Sequence, residues 1–174
     1  MKMLVTGGAG FVGTNLIKKL LSEGHEVVSV DNYSSGLKKN EVEGCRYYNN
    51  DLASDHVHGI YVDHNTYPSW RDEEFDTIFH MAALARIQTS LKDPLHHIKN
   101  NFVSTLNVLE LARKKDIPVV YAGSSSKHHG LYGSPYAWVK WSGEELCKLY
   151  SDVYNLPTSI CRFYNVYGPH QVEE

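Results

Sequence analysis

Residues 3–13 read Met3-Leu4-Val5-Thr6-Gly7-Gly8-Ala9-Gly10-Phe11-Val12-Gly13. A short apolar run passes through spaced glycines into a segment with helical period, the context in which such glycines bind a dinucleotide. Gly7 permits a tight turn off the strand. Gly10 lets the backbone approach a pyrophosphate with no Cβ in the way, and Gly13 lets the helix pack close to the sheet. An anion would then rest on the unpaired N–H groups at the start of that helix.

Asp31 follows Gly13 by 18 residues and ends the second apolar run. A carboxylate there can accept hydrogen bonds from the adenosine ribose, whereas a 2′-phosphate would meet a like charge, so NAD is favoured over NADP. The alternative, a glycine turn beside an unrelated surface aspartate, does not account for strand, spacing and helix together.

Outward from this segment, short apolar runs alternate with longer helical ones, as in βα units wound into a parallel sheet. The expected strands are Lys2 to Thr6, Glu26 to Val30, Cys45 to Tyr48, Thr77 to Met81, Pro118 to Ala122 and Thr158 to Arg162. Most are short and β-branched. Expected helices run from Phe11 to Ser22, with Leu16, Ile17, Leu20 and Leu21 inward and Gly24 ending it; from Pro94, with Val103, Leu106, Leu109 and Leu111 toward the sheet; and from near Pro135 to before Pro157. The prediction is an α/β, Rossmann-like, doubly wound parallel sheet with helices on both faces, forming a single domain over residues 1–174. Residues 53–74 are polar, rich in His and Asp and weakly periodic, a variable connection.

The composition narrows the partners. At 174 residues with a net charge of −3, the chain can bury one good core and offers no dense basic run for nucleic acid. Three scattered cysteines, Cys45, Cys147 and Cys161, suit a reducing compartment and are expected to be buried thiols. The strand that opens the sequence leaves no room for a signal peptide, and no run approaches the roughly 20 apolar residues of a membrane span, so a cytoplasmic location is expected.

Tyr136 and Lys140 are four residues apart, which on a helix places them on one face. A phenol is a poor base at neutrality, but a neighbouring ammonium stabilises the phenolate, and the pair could move a proton while NAD carries a hydride. With 12 tyrosines in the chain, the spacing alone decides little. Position adds to it, because the pair follows the fifth strand and a Gly-Ser-Ser-Ser run, at the sheet edge where ligands of such folds bind. The histidines do not read as a metal site: His56, His58 and His64, or His128 with His129, lack ligand spacing and a cysteine pair. His96 and His97 read as helix surface, His128 and His129 as flanking the substrate entrance, and Trp138 and Trp141 as packing residues.

The ordered series TGGAGFVG (6–13), VDNYSSG (30–36), NDL (50–52), FHMAALA (79–85), SLKDP (90–94), NNFVSTLNVLE (100–110), AGSSS (122–126), SPYAWVK (134–140) and CRFYNVYGP (161–169) resembles the extended short-chain dehydrogenase/reductase family, in its nucleotide-sugar epimerase and dehydratase branch. The resemblance implies that Gly7, Gly10, Phe11, Val12 and Gly13 line the pyrophosphate, Asp31, Asn32 and Gly36 the adenosine ribose, and Asp51 and Leu52 the adenine. Met81, Ala82, Ala83 and Ala85 would pass the cofactor, with Asn101 close by. Tyr136 would be the acid/base, Lys140 would hold the nicotinamide ribose and tune Tyr136, and Tyr164 and Asn165 would sit where nicotinamide meets substrate. Ser124 would hold the reacting hydroxyl if one counts from the strand; counting back from Gly130 gives Ser125.

Against that family, the loop Lys127-His128-His129-Gly130 is short, and no Thr-Asp-Glu triplet of the dehydratases is present, which favours 4-epimerisation of a UDP-sugar. Family members continue beyond the RFYNVYGP segment into a portion that holds the substrate, so this sequence is expected to be a truncated piece, a compact relative with a different substrate, or a chain whose pocket a partner completes. A dehydratase or reductase of the same family, or an NAD-binding module without turnover, are the rival readings. The family resemblance also suggests a homodimer through a four-helix contact.

Overall fold

The structure, a computed structural model, describes residues 1–54 and 69–171. Among these residues six strands form, β1 (Lys2–Thr6), β2 (Glu26–Asp31), β3 (Arg46–Asn49), β4 (Thr77–His80), β5 (Val119–Ser124) and β6 (Thr158–Phe163). All pair in parallel, in the order β3-β2-β1-β4-β5-β6. From the central β1 the chain winds outward to β3, then returns to β4 and winds the other way. The crevice between the ends of β1 and β4 is therefore the point where strand order reverses, the place where open α/β sheets take their ligands.

Helix α1 (Phe11–Ser22) has the predicted limits, and Gly24 follows it at φ +81°. A further short helix, α2 (Ile87–Lys92), precedes α3 (Pro94–Lys115) and α4 (Pro135–Tyr154). Proline opens both long helices, where its missing N–H is no loss. Asp116 and Asn155 end them in the left-handed conformation.

Successive strand residues point to opposite faces, and both faces are apolar. Leu4, Val28, Ile78 and Val119 pack with Val108 and Leu109 of α3 and Cys147 and Tyr150 of α4. Met3, Val5 and Val27 pack with Ile17 and Leu20 of α1 on the other side. Helices thus cover both faces, as a doubly wound sheet requires.

Two expectations need correction. The buried stripe of α3 runs through Asn101, Ser104, Thr105, Val108, Leu109 and Ala112. Leu106 and Leu111 pack half-buried against the same core as expected, whereas Val103 is only half-buried, and the helix gives several inward positions to polar groups that brace the site. Of the cysteines only Cys147 is buried; Cys45 is intermediate and Cys161 exposed, because β6 is an edge strand whose residues are mostly exposed.

Candidate active site

A cleft of about 770 Å³ opens at the carboxyl ends of the strands. Gly7, Gly10, Phe11, Val12 and Gly13 form one wall, from the turn that joins β1 to α1. Side chains would collide with backbone at two of these glycines. Gly7 has φ +71°, and a Cβ on it would lie 2.7 Å from the Ala82 Cα. A Cβ on Gly13 would lie 2.2 Å from the Gly7 carbonyl oxygen. Gly10 is less crowded, with 3.3 Å to that oxygen and nothing else near, so its bareness serves the open cleft. No side chain caps the helix at Gly10, which leaves the first α1 amides available to an anion.

The carboxylate of Asp31 lines the cleft where β2 ends. Its Oδ2 accepts from the Ala9 N–H at 2.9 Å and its Oδ1 from the Tyr33 N–H at 2.7 Å. The first of these bonds ties β2 to the glycine turn and fixes the group that would meet a ribose. Gly36 does not line the cleft; it packs behind, where a Cβ would stand 3.0 Å from Asp31 Oδ2. Asn32, Asp51 and Leu52 complete this end, and the Asn107 amide donates to the Leu52 carbonyl at 2.8 Å.

Met81, Ala82, Ala83 and Ala85 follow β4 along the cleft. Asn101 lies outside the lining. Its carboxamide accepts from the Leu84 N–H at 2.7 Å and donates to the Leu84 carbonyl at 3.0 Å, a two-bond clamp on the loop that does line it.

Tyr136 and Lys140 face the same cleft as the glycine turn. Two serines seat the start of α4: Ser134 Oγ accepts from the Ala137 N–H at 3.1 Å, and the buried Ser90 Oγ of α2 accepts from the Tyr136 N–H at 3.2 Å. Burial raises the Tyr136 phenol above its ordinary range, opposed by a hydrogen bond with Ser124. Lys140, 4% exposed, is drawn down to about 8 by burial. Its Nζ lies 4.4 Å from the centre of the Tyr121 ring. Burial therefore dominates at Tyr136, while the Lys140 ammonium rests on an aromatic face.

Beneath them lies a polar layer that sequence reading missed. His80 is bonded to Thr6 Oγ1 at 2.8 Å and Thr105 Oγ1 at 3.2 Å. Burial, helped by the Lys140 charge, pushes it down to about 3, so it is neutral at pH 7. Its alternation with Ile78 on β4 was the available signal, a histidine on the apolar face of a strand.

Ser124, at the end of β5, lines the cleft, whereas Ser125 opens the short turn Ser125–His129 and does not. Tyr164 lines the cleft but Asn165 is exposed outside it. The segment that carries them returns to α1, where Asn15 donates to the Pro169 carbonyl at 2.9 Å. His128 and His129 are exposed and off the cleft. His96 and His97, read as helix surface, line it together with Thr89 and Asn100, and His97 is buried. Among the described residues no group of three potential metal ligands converges; His56, His58 and His64 lie outside the described residues. No described helix is long and apolar enough to cross a membrane.

Bare helix amides, a bonded ribose-side carboxylate and a Tyr/Lys pair with a buried lysine along one cleft define a dinucleotide-binding domain of the Rossmann type. Comparisons with known proteins agree. A family model described as "NAD dependent epimerase/dehydratase family" matches residues 3–174, and the chain belongs to that family. It is 32% identical to a putative UDP-glucose 4-epimerase of Methanocaldococcus jannaschii, over 97% of this chain and 57% of that one. It is 30% identical to UDP-glucuronic acid decarboxylase 1 of Xenopus tropicalis, over 97% of this chain and 42% of that one. The Thermus thermophilus UDP-glucose 4-epimerase in complex with NAD superposes with a TM-score of 0.84 at 29% identity, over 99% of this chain and 58% of that one. The chain spans about half the length of the curated relatives it matches. NAD is the cofactor of the family.

Proposed function

We propose that this chain is the NAD-binding and proton-transferring part of a nucleotide-sugar 4-epimerase that acts on a UDP-sugar. The observation that carries the reading is that Tyr136, Lys140 and Ser124 line the same cleft as the glycine turn. The residues present fit the cofactor: uncapped α1 amides beside Gly10 would take its pyrophosphate and Asp31 its adenosine ribose. NAD, when bound, supplies the acceptor and donor of hydride, so that one sugar carbon can be oxidised and reduced within a cycle. Tyr136 would take the proton of the sugar hydroxyl through its phenolic oxygen, and Ser124 would orient that hydroxyl. Lys140 would hold the nicotinamide ribose, and its charge, brought off Tyr121, would favour the phenolate.

A panel of UDP-sugars incubated with the protein and NAD, with product stereochemistry followed by proton NMR, tests this. The expected outcome is interconversion of C4 epimers without net NADH. Tyr136→Phe should lower turnover at least ~100-fold while NAD affinity stays within a few-fold. Net NADH would mark a dehydrogenase and loss of water a dehydratase. NAD binding without turnover, unchanged by Tyr136→Phe, would mark a binding module. We also assign the outward sides of α3 and α4 to a homodimer contact of four helices.

A further inference from the structure

Glu144 stands on α4, one turn beyond Lys140, and is 2% exposed. Its carboxylate accepts from Arg162 of β6, through Nε at 3.0 and 3.1 Å and Nη2 at 3.0 Å. It also accepts from Lys127 Nζ at 2.6 Å, on the turn that follows Ser124. Gly123, next to Ser124, comes so near that a Cβ there would lie 2.7 Å from Glu144 Oε1. One carboxylate therefore grips three elements: the helix of Tyr136 and Lys140, the turn after β5, and the strand that delivers Phe163 and Tyr164 to the cleft. Burial alone would raise its pKa, yet the bonds from Arg162 and Lys127 outweigh burial and keep it below the ordinary carboxylate range.

Within the turn, Ser124 Oγ accepts from the Ser126 N–H at 3.2 Å and donates to Ser126 Oγ at 3.0 Å, bonds that shape the turn without tying it to α4. No residue of Ser125–His129 is buried, so apolar packing does not fix its place against α4. The ion pair spans that gap, and buried charge-assisted bonds are short and directional.

We propose that Glu144 is a positioning residue: by holding Lys127 and Arg162 against α4, it sets where Ser124 stands relative to Tyr136 in the cleft that both line. This rests on the reading of Ser124 and Tyr136 as reacting partners. A carboxylate that merely stabilised the fold would leave that placement alone.

The test uses the full chain labelled with [13Cζ]tyrosine, with the Tyr136 resonance assigned from its loss in Tyr136→Phe. Ser124→Ala removes the Ser124 hydroxyl and gives the reference displacement of that resonance at neutral pH. Glu144→Gln and Lys127→Met are expected to move it in the same direction, by at least about half as much, and not to move it further once Ser124 is alanine. Glu144→Asp should restore part of the position. The proposal is overturned if the resonance stays in place while only the melting temperature falls, or if the displacements add in full. Should Glu144→Gln fail to fold, Lys127→Met decides alone, because it leaves Arg162 on Glu144. NAD titration of the unsubstituted chain separates the two readings: absent binding would sink the proposed function, whatever Tyr136 reports about Glu144.

Discussion

Burial draws Lys140 from 10.5 to about 8. The folded value lies below the unfolded one, so between pH 8 and 10.5 the unfolded chain binds the extra proton and stability rises with pH. The full penalty is present below that window, and the two values place it at about 3 kcal/mol. Lys140→Met keeps the length of the side chain and removes the charge. Its expected effect is a gain of about 1–3 kcal/mol at pH 7, shrinking toward pH 10, read from urea unfolding at both pH values. Equal gains at the two pH values would place the effect in packing rather than charge. A stabilised protein that has lost turnover is the trade expected of a residue kept for chemistry.

At the scale of elements, the glycine turn separates folding from binding. Gly13→Ala would place a methyl 2.2 Å from the Gly7 oxygen and 2.7 Å from the Gly8 Cα, both backbone atoms that cannot rotate away. The expected loss is about 1–3 kcal/mol of stability, with NAD affinity falling as well. Gly10→Ala, facing 3.3 Å and then open cleft, should cost less stability yet still weaken NAD about tenfold or more, since its methyl occupies the pyrophosphate side. Thermal unfolding and NAD titration of both variants check this, and equal stability losses would remove the distinction. The same turn explains why so much was legible: glycine spacing, strand and helix lie within eleven contiguous residues, and the β-branched runs announce each strand to within about two residues at either end. Less legible was α2, whose Ile87 and Leu91 are exposed and whose single buried residue is Ser90. Its purpose is to seat Tyr136, which no hydrophobic period records. Glu144 and His80 were missed for a related reason. Their partners are 18 and 74 residues away in the chain, so only the sheet brings them together. Counting from the strand favours Ser124 over Ser125, and β5 does run through Ser124, paired with Phe163.

For the whole molecule, the correction to α3 bears on assembly. A helix that turns Asn101, Thr105 and Val108 inward leaves Phe102 and Val103 half-exposed. On α4, Trp138 and Trp141 are half-buried, and Leu149 and Val153 are 51% and 57% exposed. Trp138 and Trp141, and again Leu149 and Val153, lie three or four residues apart, so α4 carries an outward apolar stripe beside the Phe102 and Val103 of α3. Contiguous apolar surface of this kind marks an interaction site, and a stable one would bury about 1,200 Å² or more in total. Two such helix pairs meeting about a two-fold axis present each stripe to its own copy, which makes single substitutions count twice. The unsubstituted chain is expected to sediment as a dimer at micromolar concentration. Val103→Glu combined with Leu149→Glu should yield a monomer whose unfolding free energy, compared with that of the dissociated parent, changes by less than about 1 kcal/mol, since neither side chain belongs to the core. A parent that sediments as a monomer at tens of micromolar would remove the four-helix contact and leave the stripe to a different partner; a variant that stays dimeric would move the contact elsewhere on the surface.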